Sequence, residues 1–123
     1  LYLDKQPPGP DFEVVFPFDA KAPGRPPNPE FARLEGRRFV YLKPLKDQES
    51  VSASIEGFAA DPAHYDFRIR NQKAGAGVRI RGDRPLSRLA LWSIRTVLAI
   101  EPFIDLAIEP GREFTWTVTY DYE

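Results

Sequence analysis

Residues Leu86–Glu123 read LSRLALWSIRTVLAIEPFIDLAIEPGREFTWTVTYDYE, and the fold class follows from this stretch. Its end, Glu113–Tyr122, alternates strictly between two kinds of side chain, as a half-buried β-strand does. We expect the larger side chains to pack on a core, and these are Phe114, Trp116, Val118, Tyr120 and Tyr122. We expect the others to face water, and these are Thr115, Thr117, Thr119 and Asp121. Such a strand is typical of an antiparallel sheet with one wet face.

The string Ala-Ile-Glu-Pro occurs twice in this stretch, in different settings. The copy at Ala107–Pro110 runs into Gly111, so we expect a turn there. The copy at Ala99–Pro102 lies in an apolar run, where a carboxylate is costly to bury. If Glu101 is half-buried there, it suits acid/base chemistry, and we expect Pro102 to stop backbone pairing. A carboxylate that faces solvent at a strand end is the equally weighted alternative.

The rest of the chain is also predominantly strand. Further strands are predicted at Phe12–Phe18, Arg38–Leu45, Val51–Glu56, Asp66–Arg70, Val78–Arg81, Ser87–Trp92 and Val97–Phe103. The Gly/Ala-rich stretch Asn71–Gly77 predicts a hairpin, and a short helical turn is expected around Asn28–Leu34. We predict a single all-β domain over residues 1–123, an antiparallel β-sandwich. Residues 1–30, rich in Pro and Gly, should run extended over its surface, with strands in residues 38–123.

Composition excludes several classes of function. The chain of 123 residues has 17 Lys and Arg against 18 Asp and Glu, so no overall field attracts nucleic acid or an anionic membrane. No apolar stretch approaches the ~20 residues of a membrane-spanning helix, so we expect a soluble protein without a membrane partner. With no Cys and one His, neither a thiolate zinc site nor a paired-histidine metal site is expected, and no cofactor is implied. With no Met, we expect a processed protein or part of a longer chain; the compartment is left open.

Arginines recur through the predicted hairpin. Strand alternation places Arg68, Arg70, Arg79 and Arg81 on one sheet face and the apolar residues between them on the other. A solvated basic face with acidic neighbours is the favoured interpretation. The alternative is an anion-binding groove in which arginine grips a carboxylate.

Three other residues are weighed as site candidates. Trp92, in a run of Leu and Ala, is more often a core residue than a stacking platform for a sugar. Arg95 follows it and could bind hydroxyls or carboxylates. His64 comes after the turn signature Asp61-Pro62, and an exposed loop histidine is favoured over a catalytic one.

At these residues the chain resembles the galactose mutarotase-like (aldose 1-epimerase-like) superfamily. The resemblance covers about residues 64–123: GVRIRGDRPLSRLALW is similar to the family's hairpin and strand, and AIEPFIDLAIEPGREFTWTVTYDY to its Glu-Pro, Pro-Gly turn and last strand. It implies that Glu101 takes the proton of the anomeric hydroxyl. His64-Tyr65-Asp66-Phe67 is similar to the family stretch whose Asp binds sugar hydroxyls. The implied sugar pocket contains Asp66, Trp92, Arg95 and His64.

Two hypotheses follow from the resemblance. The family's acid histidine lies in an N-terminal half that has no counterpart here, and a complete family domain is much longer than this chain. The first hypothesis is therefore carbohydrate recognition by a β-sandwich that forms the C-terminal portion of an epimerase-like enzyme. The second is a non-catalytic carbohydrate-binding or protein-interaction module, in which a sheet face meets a complementary β-rich segment or subunit.

Overall fold

The structure is a computed structural model and describes residues 6–104 and 117–122. The strands described are β1 (Phe12–Val15), β2 (Ala32–Glu35), β3 (Arg38–Tyr41), β4 (Ser50–Ser54), β5 (Asp66–Asn71), β6 (Ala76–Gly82), β7 (Arg88–Ile94), β8 (Val97–Phe103) and β9 (Val118–Tyr122). One 3₁₀ turn, Pro62–His64, precedes β5. Over the described ranges no helix has the length and apolar character needed to cross a bilayer.

These strands form two antiparallel sheets, and the all-β prediction is confirmed. The six-stranded sheet has the order β2-β3-β1-β5-β6-β9, and the three-stranded sheet has the order β4-β7-β8. Successive side chains on each strand point to opposite faces, so each sheet has an inner face toward the core and an outer face toward solvent. The arrangement is that of a β-sandwich.

The core lies between the two inner faces. Phe39 and Phe67 of the larger sheet and Leu91 and Leu98 of the smaller one are almost fully buried in a single cluster. Burying each of these side chains stabilises the fold by about 1.5–3 kcal/mol relative to leaving it exposed. The core therefore fixes which outer surface each sheet presents to solvent.

The predicted arginine hairpin is confirmed in both its pairing and its faces. β5 and β6 are antiparallel neighbours in which Phe67 pairs with Ile80 and Arg68 with Arg79. The apolar residues lie on the inner face and the arginines on the outer one, as the alternation required.

The helical turn expected around residues 28–34 is confined to its beginning. The backbone N–H groups of Phe31 and Ala32 both donate to the carbonyl of Asn28, which makes one turn. The chain then enters β2, where Ala32–Glu35 pairs with β3. Pairing with β3 satisfies the backbone groups that a longer helix would have satisfied internally.

Pro102 does not end its strand. β8 continues to Phe103, and Pro102 lies opposite Leu89 of β7. Among the described residues β8 pairs only with β7, so it is an edge strand. An edge strand tolerates proline because one side of its backbone needs no N–H donor for pairing.

The last strand is less buried than its alternation predicted. In β9, Tyr120 and Tyr122 pair with Ile80 and Val78 and so lie on the inner side, but they are 57% and 78% exposed. They line a groove of about 180 Å³ between the sheets, together with Leu98 and Ile100 of β8. Phe114, Trp116 and Glu109, also assigned roles from the sequence, lie outside the described residues.

Candidate functional site

The outer face of the three-stranded sheet carries the chemistry that the sequence singled out. We call it the Trp92 face. In the register of this sheet Trp92 lies between Ser52 of β4 and Ala99 of β8. Its members by alternation are Ser50, Ser52, Ser54, Arg88, Ala90, Trp92, Ile94, Val97, Ala99, Glu101 and Phe103.

A short hydrogen bond organises the centre of the Trp92 face. The indole N–H of Trp92 donates to Oε1 of Glu101 over 2.6 Å. The two residues are diagonal neighbours, because Trp92 is paired with Ala99 and Glu101 with Ala90. The small side chains of the two alanines leave room for the indole to lie across the strands. The bond therefore fixes the direction of the carboxylate relative to the ring, and charged acceptors make the stronger hydrogen bonds of this kind.

A cation–π contact extends the face toward the far end of β8. The guanidinium carbon of Arg88 lies 4.8 Å from the centroid of the Phe103 ring, and the two residues are directly paired. Phe103 is 41% exposed, so part of this residue is accessible to a ligand. Arg88 belongs to a longer series of arginines that the sequence suggests as a solvated basic face or an anion-binding groove, whereas sequence reasoning did not select Phe103. The signal for Phe103 was its period-two spacing from Glu101, which places both residues on one face.

The Trp92 face combines flat apolar area with hydrogen-bonding groups of every type. An indole and a phenyl ring offer surfaces on which an apolar ligand face can stack. Glu101 accepts, Arg88 donates, and the serines of β4 do both. Most side chains of the face are exposed, so it suits an extended, polyhydroxylated ligand better than a small enclosed substrate.

Glu101 and Trp92 both lie outside the core. Glu101 is exposed on an edge strand, so the half-buried interpretation is wrong and the solvent-facing alternative is correct. Trp92 is partly buried on the outer face and does not reach the inner core. The two residues are thus brought into contact, but on an open surface.

Arg95 lies at the edge of this arrangement. It is in the two-residue connection between β7 and β8, which Ile94 and Val97 close. Glu101 is paired with Ala90, which comes five residues before Arg95. Five residues span about 16 Å along a strand, so Arg95 is far from Glu101. Arg95 instead lines a separate open cleft of about 400 Å³ with Lys46 and Asp47.

Asp66 and His64 are not brought to Glu101. Asp66 is on the outer face of the six-stranded sheet, where Oδ1 and Oδ2 accept from Nε and Nη2 of Arg79 at 2.9 and 2.7 Å. His64 ends the 3₁₀ turn, with Nδ1 accepting from the Ala59 N–H at 2.8 Å. Its ring lies 5.4 Å from that of Phe18. Both side chains are held by local contacts, and Asp66 faces away from Glu101 across the sandwich.

No protein-family model matches the chain, and neither the curated proteins nor the solved structures contain one that is significantly similar to it.

Proposed function

We propose that the chain recognises carbohydrate on the Trp92 face. The observation that carries the proposal is the 2.6 Å hydrogen bond from the Trp92 indole to Glu101 on an exposed sheet surface. A ring that is anchored by its own N–H is a rigid platform, so stacking a sugar on it costs little ordering entropy. The oriented carboxylate beside the ring is an acceptor for sugar hydroxyls.

Phe103 and Arg88 extend the same proposal to a longer ligand. They follow Glu101 along β8 and its partner strand, so a second sugar unit could contact them while the first contacts Trp92. Ser52 flanks Trp92 on the other side and adds a hydroxyl. We therefore favour an oligosaccharide over a monosaccharide as the ligand.

The test is a titration followed by the indole N–H resonance of Trp92, assigned by its disappearance in Trp92→Phe. D-galactose, D-glucose and cellohexaose are the probes, and glycerol is the polyol control. Binding should shift this resonance with cellohexaose at lower concentration than with either monosaccharide, and glycerol should leave it in place. Absence of a shift with all three sugars would reject carbohydrate recognition on this face.

Anomer interconversion is the catalytic extension of this proposal and rests on the resemblance. Glu101 would be the base, and it needs an acid on the opposite side of the sugar ring. His64, the single histidine of the chain, accepts a hydrogen bond from the Ala59 N–H and contacts the ring of Phe18. The acid would therefore come from another segment or subunit. Polarimetry of freshly dissolved α-D-galactose tests the extension by measuring the rate of mutarotation. Equal rates with the wild-type protein and with Glu101→Gln would exclude it.

A second candidate function, docking of another β-rich segment or subunit, is favoured by the groove between the sheets. Tyr120 and Tyr122 are exposed above it, and β8 provides a strand edge beside it. Exposed apolar patches of this type mark interaction sites. Sedimentation velocity over a range of concentrations tests this candidate, since a monomer at every concentration with no binding of a hydrophobic dye would count against it.

A further inference from the structure

We propose that an open cleft beside Arg68, on the outer face of the six-stranded sheet, binds a small monocarboxylate. This face is opposite the Trp92 face. The inference is therefore independent of the proposed carbohydrate site, and either one can fail alone.

The outer face of the six-stranded sheet is a ladder of arginines and carboxylates. Its arginines are Arg33, Arg38, Arg68, Arg70, Arg79 and Arg81, and its carboxylates are Glu13, Glu35, Asp66 and Asp121. The ion pairs described are Arg33–Glu35, Arg38–Glu13, Arg38–Glu35, Arg70–Glu13, Arg79–Asp66 and Arg81–Asp121. The solvated basic face expected from the sequence is thus largely neutralised by acids on neighbouring strands.

Arg68 is the exception within the part of the chain that the structure describes. It is partly buried, yet it makes no ion pair or side-chain hydrogen bond to another described residue. Its cross-strand partners are Val15, which is apolar, and Arg79, which has the same charge. Asp66 is the nearest acid on its own strand, and both of its oxygens already accept from Arg79. A guanidinium in this position gains more from an added anion than its paired neighbours do.

The cleft beside Arg68 defines what kind of anion fits. Its volume is about 160 Å³, and it is lined by Val15, Phe16, Pro17, Asp66, Arg68 and Arg79. At about 30 Å³ for each water molecule in the liquid, it holds a ligand of roughly five or six heavy atoms. The lining combines two guanidinium groups and one carboxylate with three apolar side chains. This combination fits a carboxylate on a short hydrocarbon stem.

The apolar part of the cleft adds discrimination between anions. Val15, Phe16 and Pro17 line it, so a hydrocarbon stem can bury apolar area there, whereas inorganic phosphate has no stem and must give up more of its hydration. Inorganic phosphate is therefore expected to bind more weakly than a carboxylate with a stem, although it carries more charge. Because guanidinium and carboxylate match in two parallel hydrogen bonds, Arg68→Lys should not replace the arginine fully.

The test is a set of titrations of the whole chain with butyrate, butyramide and inorganic phosphate, followed by the Nε–H resonance of Arg68. We expect butyrate to bind in the millimolar range, as suits about six heavy atoms. Butyramide, its neutral isostere, should not bind, and phosphate should bind at least about fivefold more weakly. If butyramide binds as tightly as butyrate, the cleft recognises only the hydrocarbon stem. If phosphate binds as tightly as butyrate or more tightly, the face attracts anions in general. Either result overturns the proposal.

Variants locate the site. Arg68→Gln should weaken butyrate binding at least tenfold by backbone chemical shifts, and Arg68→Lys at least threefold. Arg33→Gln removes the same charge from the far strand of the same face and is the matched control, with an expected change below twofold. Equal losses in Arg33→Gln and Arg68→Gln would assign the effect to the field of the whole face and overturn a site at Arg68. If Arg68→Gln does not fold, Arg68→Lys decides, since unchanged affinity in that variant would also contradict the proposal.

Discussion

The hydroxyl of Tyr41 donates a hydrogen bond of 2.8 Å to Oγ of Ser93, and this contact joins the two sheets inside the core. Tyr41 is on β3 of the larger sheet, and Ser93 is on β7 of the smaller one. Both residues are buried, and each supplies the other with a polar partner that the surrounding apolar side chains cannot provide. The contact thereby favours one relative placement of the two sheets and of their outer faces.

Tyr41→Phe should destabilise the protein by about 1–3 kcal/mol, because Ser93 then keeps a buried hydroxyl without its partner. Denaturant unfolding measures the free energy. Adding Ser93→Ala should recover part of the loss, since the orphaned hydroxyl is then gone. Tyr122→Phe is the matched control, with a change below about 0.5 kcal/mol because its side chain is exposed. An additive double variant would contradict a coupling between the two sheets through this bond.

Stability should fall between about pH 10 and pH 12 through buried tyrosines. Burial, and secondarily the charge of Tyr120, raises the pKa of Tyr65 to about 12, and burial also raises the pKa of Tyr41. The folded chain therefore keeps protons that the unfolded chain releases above its ordinary tyrosine pKa of about 10. The stabilisation is complete below that pH and is lost as the pH rises toward the folded pKa.

Denaturant unfolding at pH 8 to 12 measures this loss in wild type and in Tyr65→Phe. The variant should lose less of its own pH 8 stability than the wild type does, with Tyr41 accounting for the remaining slope. Identical slopes in wild type and Tyr65→Phe would contradict the assignment to Tyr65.

The sequence predicted what alternation can encode and missed what it cannot. Phe67 and Arg68 were assigned to the correct faces because charged and apolar residues alternate in β5. In β8 the run Val97–Ile100 is apolar at every position, so it does not reveal which face Glu101 shares. Leu98 turns inward and Glu101 outward, which only the pairing with β7 decides.

The sheet to which Asp66 belongs could not be predicted from the sequence, for a different reason. The resemblance grouped Asp66 with Glu101, but β5 and β8 belong to different sheets. Which strands share a sheet depends on contacts between distant segments, and a single sequence has no local signal for them. The same reason applies to Trp92. Its face could be assigned only once β4 and β8 were known to be the neighbours of β7.

Gly82→Ala should destabilise the fold by about 1–3 kcal/mol. A Cβ at Gly82 would lie 2.7 Å from three ring carbons of Tyr65, a buried side chain, so the ring or the backbone would have to shift. Gly24→Ala is the matched control, because nothing lies within 4 Å of a Cβ there. Thermal unfolding of both variants checks the prediction. A Gly82→Ala protein as stable as Gly24→Ala would mean that the ring of Tyr65 moves freely.

The Trp92–Glu101 pair should matter for ligand binding far more than for folding. Both residues are outside the core and Glu101 is exposed, so Trp92→Phe and Glu101→Gln should each change the free energy of unfolding by less than about 1 kcal/mol. Trp92→Ala removes the stacking platform and should weaken cellohexaose binding at least about tenfold, whereas Trp92→Phe keeps a ring and should cost about two- to fivefold.

Combining Trp92→Phe with Glu101→Gln separates the two roles of the carboxylate. If Glu101 acts only by holding the indole, the double variant binds cellohexaose as Trp92→Phe does, because the hydrogen bond is already lost. If Glu101 also accepts from a sugar hydroxyl, the double variant is weaker by a further several-fold, and this is the result we expect, because a carboxylate oxygen accepts more than one hydrogen bond. Isothermal calorimetry on wild type, the two single variants and the double variant measures the difference, with Arg33→Gln on the outer face of the other sheet as the control. Unchanged affinity in all of them would remove the Trp92 face from recognition altogether.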